Sequence, residues 1–306
     1  MRTVKLSYGG ILMKKTILLL LIMVFTLSTF FGATLTVGIR YFTEHYILGN
    51  LAALLLEEHG FNVVKRDGLH ALPSREGLIT GQIDVLAEYT GTAWATYLGQ
   101  EEMITDPDEL FKKVKELDAK NGVVWLDRIN VNNTYALAIR QEDYEKYGFE
   151  TLSDLVAYWN EHPTEFVAGV DHEFYERPDG FFAFAEHYGL DIPDSQVLTM
   201  QTGLTYEALS NNKIDIAMVF TTDPQILKYN LHVLEDDKNF WPYYHISFIV
   251  RKDVLDKYPE IEEILRPLTL YLNEDILIRV NNRVDVEGLE PEVVAREYLE
   301  GLGLID

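Results

Sequence analysis

Two stretches of the chain carry the same order of apolar and polar positions. The first opens with the apolar run Thr36-Val37-Gly38-Ile39 and crosses a polar loop into a predicted helix from about Thr43 to His59. In that helix Ile47, Leu48, Leu51, Leu54 and Leu55 recur at helical spacing, and Gly60 marks the stop. The second opens with Phe166-Val167-Ala168-Gly169-Val170, crosses another polar loop, and enters a helix predicted to end near Tyr188-Gly189. Each is followed by a turn and a buried strand: Gly81 through Thr90 in the first, Asn212 through Thr221 in the second. Gly38 and Asp84 stand 46 positions apart, as do Gly169 and Asp215. Strand–helix–strand units at this spacing predict an α/β fold of two lobes, each a mainly parallel sheet flanked by helices. From about Arg251 onward the pattern is helical and amphipathic (Ile261, Ile264, Leu265, Leu268, then Val293, Val294, Tyr298, Leu299), and is read as returning to the first lobe. The expected division is 34–132 plus 245–306 for lobe I and 133–244 for lobe II, with short hinges near Asn133 and Tyr243.

The N-terminus stands outside this pattern. Lys14 and Lys15 follow Met13 and lead into an apolar run from Ile17 to Phe31, the charge and hydropathy order of an export signal. The run falls short of the roughly 20 residues that a spanning helix uses, so residues 1–33 are read as a signal peptide or N-terminal anchor. Met13 is the expected start, with 1–12 an upstream extension. Phe31-Gly32-Ala33 lacks a small residue three positions before a cut, and the absence of cysteine excludes a lipid-modified cysteine. The expected location is outside the cytoplasm, in the periplasm or on the outer face of the cytoplasmic membrane.

Charge narrows the partners. The net charge is −23, and residues 1–33 contribute four basic residues and no acid, so the remainder carries −27. A surface this acidic has little with which to neutralise phosphates, which argues against nucleic acid. With no cysteine there is no disulfide, thiolate metal site or cysteine nucleophile. His172-Glu173 is not followed by the second histidine of a zinc-protease helix, and no Gly-x-Ser-x-Gly elbow occurs. No cofactor, no metal site and no catalytic residue are expected.

In parallel sheets, ligands bind beyond the carboxyl ends of the strands, and the repeat puts Tyr89 and Phe220 at equivalent strand ends, each followed by a threonine. Further aromatics at strand ends and loops are Tyr135, Trp241, Tyr243 and Tyr244. A trimethylammonium group has no N–H to donate and is held instead by ring faces, each worth about 0.5–2 kcal/mol when desolvated. Four faces and contacts to a carboxylate reach roughly the −8 kcal/mol of micromolar affinity.

The segments Phe42-Thr43-Glu44-His45-Tyr46-Ile47-Leu48-Gly49, Glu88-Tyr89-Thr90-Gly91-Thr92, Asn132-Asn133-Thr134-Tyr135-Ala136-Leu137 and Glu173-Phe174-Tyr175-Glu176-Arg177-Pro178-Asp179-Gly180 carry a resemblance, joined by Gly203-Leu204-Thr205-Tyr206, Thr221-Thr222-Asp223 and Pro242-Tyr243-Tyr244. In this order they resemble the glycine betaine/choline/carnitine substrate-binding proteins of ABC transporters, from about Leu35 to the C-terminus. The resemblance implies a two-lobed periplasmic-binding-protein-like fold (type II) and an aromatic box that encloses a quaternary ammonium. Carried over by position, the box is Tyr89, Tyr135, Phe220 and Tyr244, while Thr92, Arg40 and Arg177 occupy places that bind a ligand carboxylate or bridge the lobes. A guanidinium suits a carboxylate because it stays charged and bonds bidentately; the alternative for Arg177 is a surface ion pair with Glu173 or Asp179. The family pattern is broken at Arg40-Tyr41, where Lys-Asn is usual, at His45 for Gln, at Asn133 for an aspartate and at Phe220 for a tyrosine. Loss of an acid and gain of Arg40 favour a ligand with a carboxylate over choline. His45 is either a ligand contact or a helix-start residue. The implied partners are a small quaternary ammonium solute and the permease subunits of an ABC importer. The protein is expected to be a monomer, meeting the membrane only through its N-terminal segment or the permease. Alternatives are the same trap for an ergothioneine-like betaine or a polar amino acid, and, further off, an enzyme or sensor on the same fold.

Overall fold

The predicted alternation of strands and helices is present in the computed structural model, which describes residues 32–102, 104 and 106–306. The leader segment read in 1–33 lies outside them apart from its last two positions. The chain lays down β1 (Thr34–Arg40), β2 (Asn62–Leu69), β3 (Val85–Tyr89) and β4 (Val123–Asn132), then β5 (Tyr135–Arg140), β6 (Ala168–Asp171), β7 (Val197–Met200), β8 (Ile216–Phe220) and β9 (Leu231–Val233), and last β10 (His245–Arg251). These form two five-stranded sheets of order β2-β1-β3-β10-β4 and β7-β6-β8-β5-β9. In each, four strands run in one direction and the fourth in the order runs against its neighbours. That reversed strand is the one delivered from the other sheet: β5 enters directly after β4, and β10 returns after β9. The fold is therefore two mainly parallel α/β lobes joined by two passages of chain.

The sequence repeat has a physical cause visible at matched positions. Asp84 accepts a hydrogen bond from the Thr36 amide at 2.8 Å and pairs with Arg251 at the end of β10 (3.4 Å). Asp215 accepts from the Val167 amide at 3.0 Å and pairs with Arg140 at the end of β5 (3.0 Å). Each aspartate thus clips the start of the second strand to the first and to the reversed strand. The glycines matter equally. A Cβ at Gly38 would lie 2.9 Å from Ile83 Cδ1, and one at Gly169 would lie 2.5 Å from Ile214 Cδ1. The register agrees as well: Val37 faces Val85 and Gly38 faces Leu86, while Ala168 faces Ile216 and Gly169 faces Ala217.

The first crossover helix, α1 (Thr43–Glu58), is buried from Ile47 to Leu56 and apolar on nearly every side. A helix of that kind belongs inside. It lies between its own sheet and the C-terminal helices α6 (Glu260–Tyr271), α7 (Glu274–Asp285) and α8 (Pro291–Gly301), which pack back on lobe I. Between these come α2 (Ala71–Ile79) and, in lobe II, α3 (His172–Glu176), α4 (Phe181–Tyr188) and α5 (Leu204–Ser210). Two expectations are corrected. Val293 is 44% exposed, and α8 buries Val294, Ala295 and Leu299 instead. The single helix expected before Gly189 is two, α3 and α4, because Pro178 offers no amide hydrogen and holds Arg177 in an extended conformation (φ −69°, ψ 148°).

Candidate ligand-binding site

The carboxyl ends of the parallel strands meet across the two sheets, and the side chains there line one pocket. Lobe I supplies Arg40 from the end of β1, Tyr41 and Phe42 from the loop that follows, Tyr89 from the end of β3 and Thr92 from the helical turn after it. Lobe II supplies Tyr135 from β5, Asp171 from the end of β6, Glu173 from α3 after it, and Phe220 from β8. Asn133 and Tyr244, on the two passages between sheets, complete the wall. Of the nine residues the sequence singled out, Arg40, Tyr89, Thr92, Asn133, Tyr135, Phe220 and Tyr244 line this pocket; Arg177 stands directly behind it, and His45 is inside the wall.

The rings stand face to face and edge to face. Tyr135 and Phe220 are opposite one another in the sheet ladder, with centroids 5.0 Å apart. Tyr244 meets Tyr135 at 5.6 Å, nearly perpendicular. Phe42 lies 6.2 Å from both Tyr89 and Phe220 and almost parallel to the latter (11°). The four rings expected from the sequence are joined in the pocket lining by two more, Phe42 and Tyr41. Gly91 is what lets Tyr244 in, since a Cβ there would fall 2.6 Å from the ring. The Tyr244 amide donates to Asn132 Oδ1 (2.8 Å) and its hydroxyl to Asp179, so the ring is held at both ends.

Charge is distributed unequally around these rings. Arg40 donates to Glu173 across the cleft at 2.8 Å and stands 3.5 Å from Glu88. Burial opposes its charge, but Glu173 and Glu88 outweigh that and keep it a guanidinium. Its Nε is buried without a partner among the described residues, and its guanidinium sits 5.1 Å above Phe42. Glu173 is desolvated as well, yet Arg40 and Arg177 hold its carboxyl below the usual range. Arg177 gives Nε and Nη2 to Asp179 (2.7 and 2.6 Å) and Nη1 to Thr92 Oγ1 in lobe I (3.4 Å). Both expected kinds of contact are present: the guanidinium bridges the lobes through Thr92 and pairs with Asp179 and, at 3.5 Å, with Glu173, although at 7% exposure this is a buried and not a surface pairing. Its guanidinium also stands 5.3 Å over the Tyr135 ring.

Behind Tyr89 lies Glu44, 2% exposed. Its Oε1 accepts from the Tyr89 hydroxyl (2.6 Å) and Asn133 Nδ2 (2.8 Å), and its Oε2 from the Thr222 hydroxyl (3.0 Å) and Asn281 Nδ2 (3.5 Å). Burial raises its proton affinity, and the four donors oppose that rise. Burial, together with the Glu44 charge, keeps the Tyr89 phenol protonated.

His45 is fully buried and does not line the pocket. Its Nδ1 accepts from the Arg40 amide (3.3 Å), its ring packs on Phe42 and Tyr89, and burial beside Arg40 holds it neutral. Trp241 and Tyr243 line a separate recess behind the passages between sheets, where Tyr243 stacks on His245. Sequence reasoning missed Tyr41, Phe42, Glu44, Asp171 and Glu173. The repeat itself held the signal for most of them: Arg40 and Phe42 at the end of β1 and beyond it occupy the positions of Asp171 and Glu173 at the end of β6 and beyond it, and both segments border the cleft.

Similarity to known proteins agrees with this geometry. The family described as OpuAC, substrate binding domain of ABC-type glycine betaine transport system, matches residues 33–301. A glycine-betaine-binding protein of Pseudomonas aeruginosa is 34% identical over 278 residues, 89% of either chain. The ergothioneine transport permease/ergothioneine binding protein EgtU of Helicobacter pylori is 35% identical over 272 residues, 88% of this chain and 48% of that protein. The crystal structure of a glycine betaine/carnitine/choline ABC transporter shares 30% identity and a TM-score of 0.72, covering 89% of this chain and 100% of that one.

Proposed function

The chain belongs to the family of substrate-binding domains of ABC-type glycine betaine transport systems, and from that premise we propose that it traps a quaternary ammonium solute, glycine betaine or a related betaine, between its lobes. One observation carries the choice of ligand: six aromatic rings from both lobes and the passages between them converge on one pocket, with Arg40 at its edge. Rings suit a cation that has no hydrogen to donate. The unpartnered Arg40 Nε and the Thr92 hydroxyl beside Arg177 suit the carboxylate of a betaine. Lobe I is 34–132 plus 245–306 and lobe II is 133–244, closing about the passages at Asn133 and Pro242–Tyr244 as a hinge. The trap acts outside the cytoplasmic membrane, delivers its solute to a permease, and performs no chemistry on it.

A histidine-derived betaine is the second reading, favoured by the 35% identity to EgtU and by Arg40. Calorimetric titration of the purified protein, stripped of bound solute by unfolding and refolding, separates the two. Glycine betaine, proline betaine, carnitine, choline and ergothioneine are titrated in parallel, and Tyr89→Ala is the control. Saturable binding of glycine betaine or proline betaine that is lost in Tyr89→Ala is the expected result. Preference for ergothioneine selects the second reading, and silence from all five with the protein folded refutes both.

A further inference from the structure

The box is backed by a buried carboxylate whose position none of the ligand contacts above requires. Glu44 sits at the start of α1, one side chain removed from the pocket, and its four donors arrive from both lobes: Tyr89 and Asn281 from lobe I, Thr222 from lobe II, and Asn133 from the passage between them. A clamp between lobes needs no charge, and neutral hydroxyls and amides make such contacts at lower desolvation cost. The shortest of the four bonds comes from the hydroxyl of Tyr89, a ring of the box.

We propose that Glu44 is a positioning residue that sets the cation preference of the box through Tyr89. A phenol hydrogen-bonded to a carboxylate in a buried site is polarised toward phenolate, which concentrates negative charge on its ring. A cation over that face is then attracted more strongly, while an uncharged group of the same shape gains nothing. The same bond fixes the ring's rotation. This inference rests on the quaternary ammonium reading above. It makes Glu44 a determinant of charge selectivity, distinct from the rings that give the box its shape.

The test compares each cation with its carbon isostere: glycine betaine with 3,3-dimethylbutanoate, and choline with 3,3-dimethylbutan-1-ol. Affinities are read for the wild-type chain, Glu44→Gln, Tyr89→Phe and the double variant, with thermal melts to verify folding. Glu44→Gln keeps the size and most of the hydrogen bonding and removes the charge. It is expected to weaken the cation by about three- to tenfold more than the isostere, within the range of one cation–ring contact. Tyr89→Phe keeps the ring and cuts the link, so Glu44→Gln is expected to cost clearly less in that background. If Glu44→Gln fails to fold, Tyr89→Phe alone carries the comparison, with the same selective loss expected. Equal losses for cation and isostere, or an undiminished effect of Glu44→Gln in the Tyr89→Phe background, overturn the role assigned to Glu44 and leave the quaternary ammonium reading standing. Failure of the wild-type chain to bind either cation overturns that reading and this inference with it.

Discussion

Replacing Gly91 by alanine tests whether the box depends on the placement of the Tyr244 ring. Gly91 lies in the short helical turn Thr90–Thr92 after β3, and its φ is not in the left-handed region. Alanine therefore suits the backbone, and by helix propensity alone it is favoured by about 1 kcal/mol. The added methyl carbon, however, would lie 2.6, 2.7 and 2.9 Å from Cε1, Cδ1 and Cζ of Tyr244. Ordinary carbon contact at about 3.5–4.0 Å requires the ring to move by roughly 1 Å. Tyr244 has little freedom to do so, because its amide is bonded to Asn132 and its hydroxyl to Asp179. Overpacking of this kind costs about 1–3 kcal/mol, so the net destabilisation after the propensity gain is up to about 2 kcal/mol. Tm should fall by about 2–4 °C for each kcal/mol, read by calorimetry without ligand. The displaced ring gives up part or all of one face, which predicts about two- to thirtyfold weaker binding of the quaternary ammonium. Putting the same alanine in a Tyr244→Leu background removes the clash, and there it should cost no stability. A Gly91→Ala protein that melts and binds like the wild type would refute the argument.

Three further outcomes follow from the geometry. Phe42→Leu keeps apolar bulk but removes a ring between Tyr89 and Phe220; titration should show about two- to thirtyfold weaker binding with little change in Tm, and unchanged affinity would remove Phe42 from the box. Burial, with Asp285 and Glu44 facing it, pushes the Asp223 carboxyl up to about 8 although the Tyr206 hydroxyl is bonded to it. A folded-state value above the unfolded one near 3.9 means that this group's contribution is complete below pH 4 and drains away as pH rises toward 8. Melts of Asp223→Asn against wild type should therefore show a difference that grows in favour of the variant by about 1 kcal/mol or more from pH 4 to pH 8.5, and a pH-independent difference would count against it. Asp84→Ala and Asp215→Ala each strand a backbone amide and remove one of the carboxylates held by an arginine, Arg251 keeping Asp253 and Arg140 keeping Asp143, so denaturant unfolding should show losses of about 1–3 kcal/mol apiece; because they lie in different lobes the losses should add to within about 0.5 kcal/mol.

The fold was legible because its determinants are short-range and duplicated. Gly38 and Gly169, Ile83 and Ile214, Asp84 and Asp215 each solve the same local packing problem, and a repeated solution stands out in one sequence without any alignment. Tyr89 and Phe220 were legible for the same reason, as strand ends in register. Tyr135 and Tyr244 came from the resemblance, since nothing local distinguishes them from core aromatics. Glu44 was hidden by its own plausibility as a helix-start residue: an acid in the first turn is favoured by the helix dipole and is normally solvated. Its burial depends on Asn133, Thr222 and Asn281, which lie 89, 178 and 237 residues away. The role of Arg177 was undecidable for a similar reason. Its bidentate pairing with Asp179 exists because the chain breaks at Pro178 and folds the aspartate back onto it.

Duplication explains the scaffold and leaves the chemistry to the places where the copies diverged. The segment from the end of β1 onward presents Arg40 and Phe42, while its counterpart from the end of β6 onward presents Asp171 and Glu173 at the same positions of the repeat. Were both segments alike, the cleft would face arginine with arginine or acid with acid, and like charges would oppose closure. As built, Arg40 reaches Glu173 at 2.8 Å, so the lobes are drawn together by the very positions in which they differ. The same divergence gives the pocket its polarity, with Arg40 on the lobe I side, Asp171 and Glu173 on the lobe II side, and rings from both lobes between them. A zwitterion matches that arrangement better than a simple cation, because each of its ends finds an opposite partner. Substituting Arg40 by leucine should therefore cost a betaine more affinity than it costs choline, and equal losses would show that Arg40 serves closure alone.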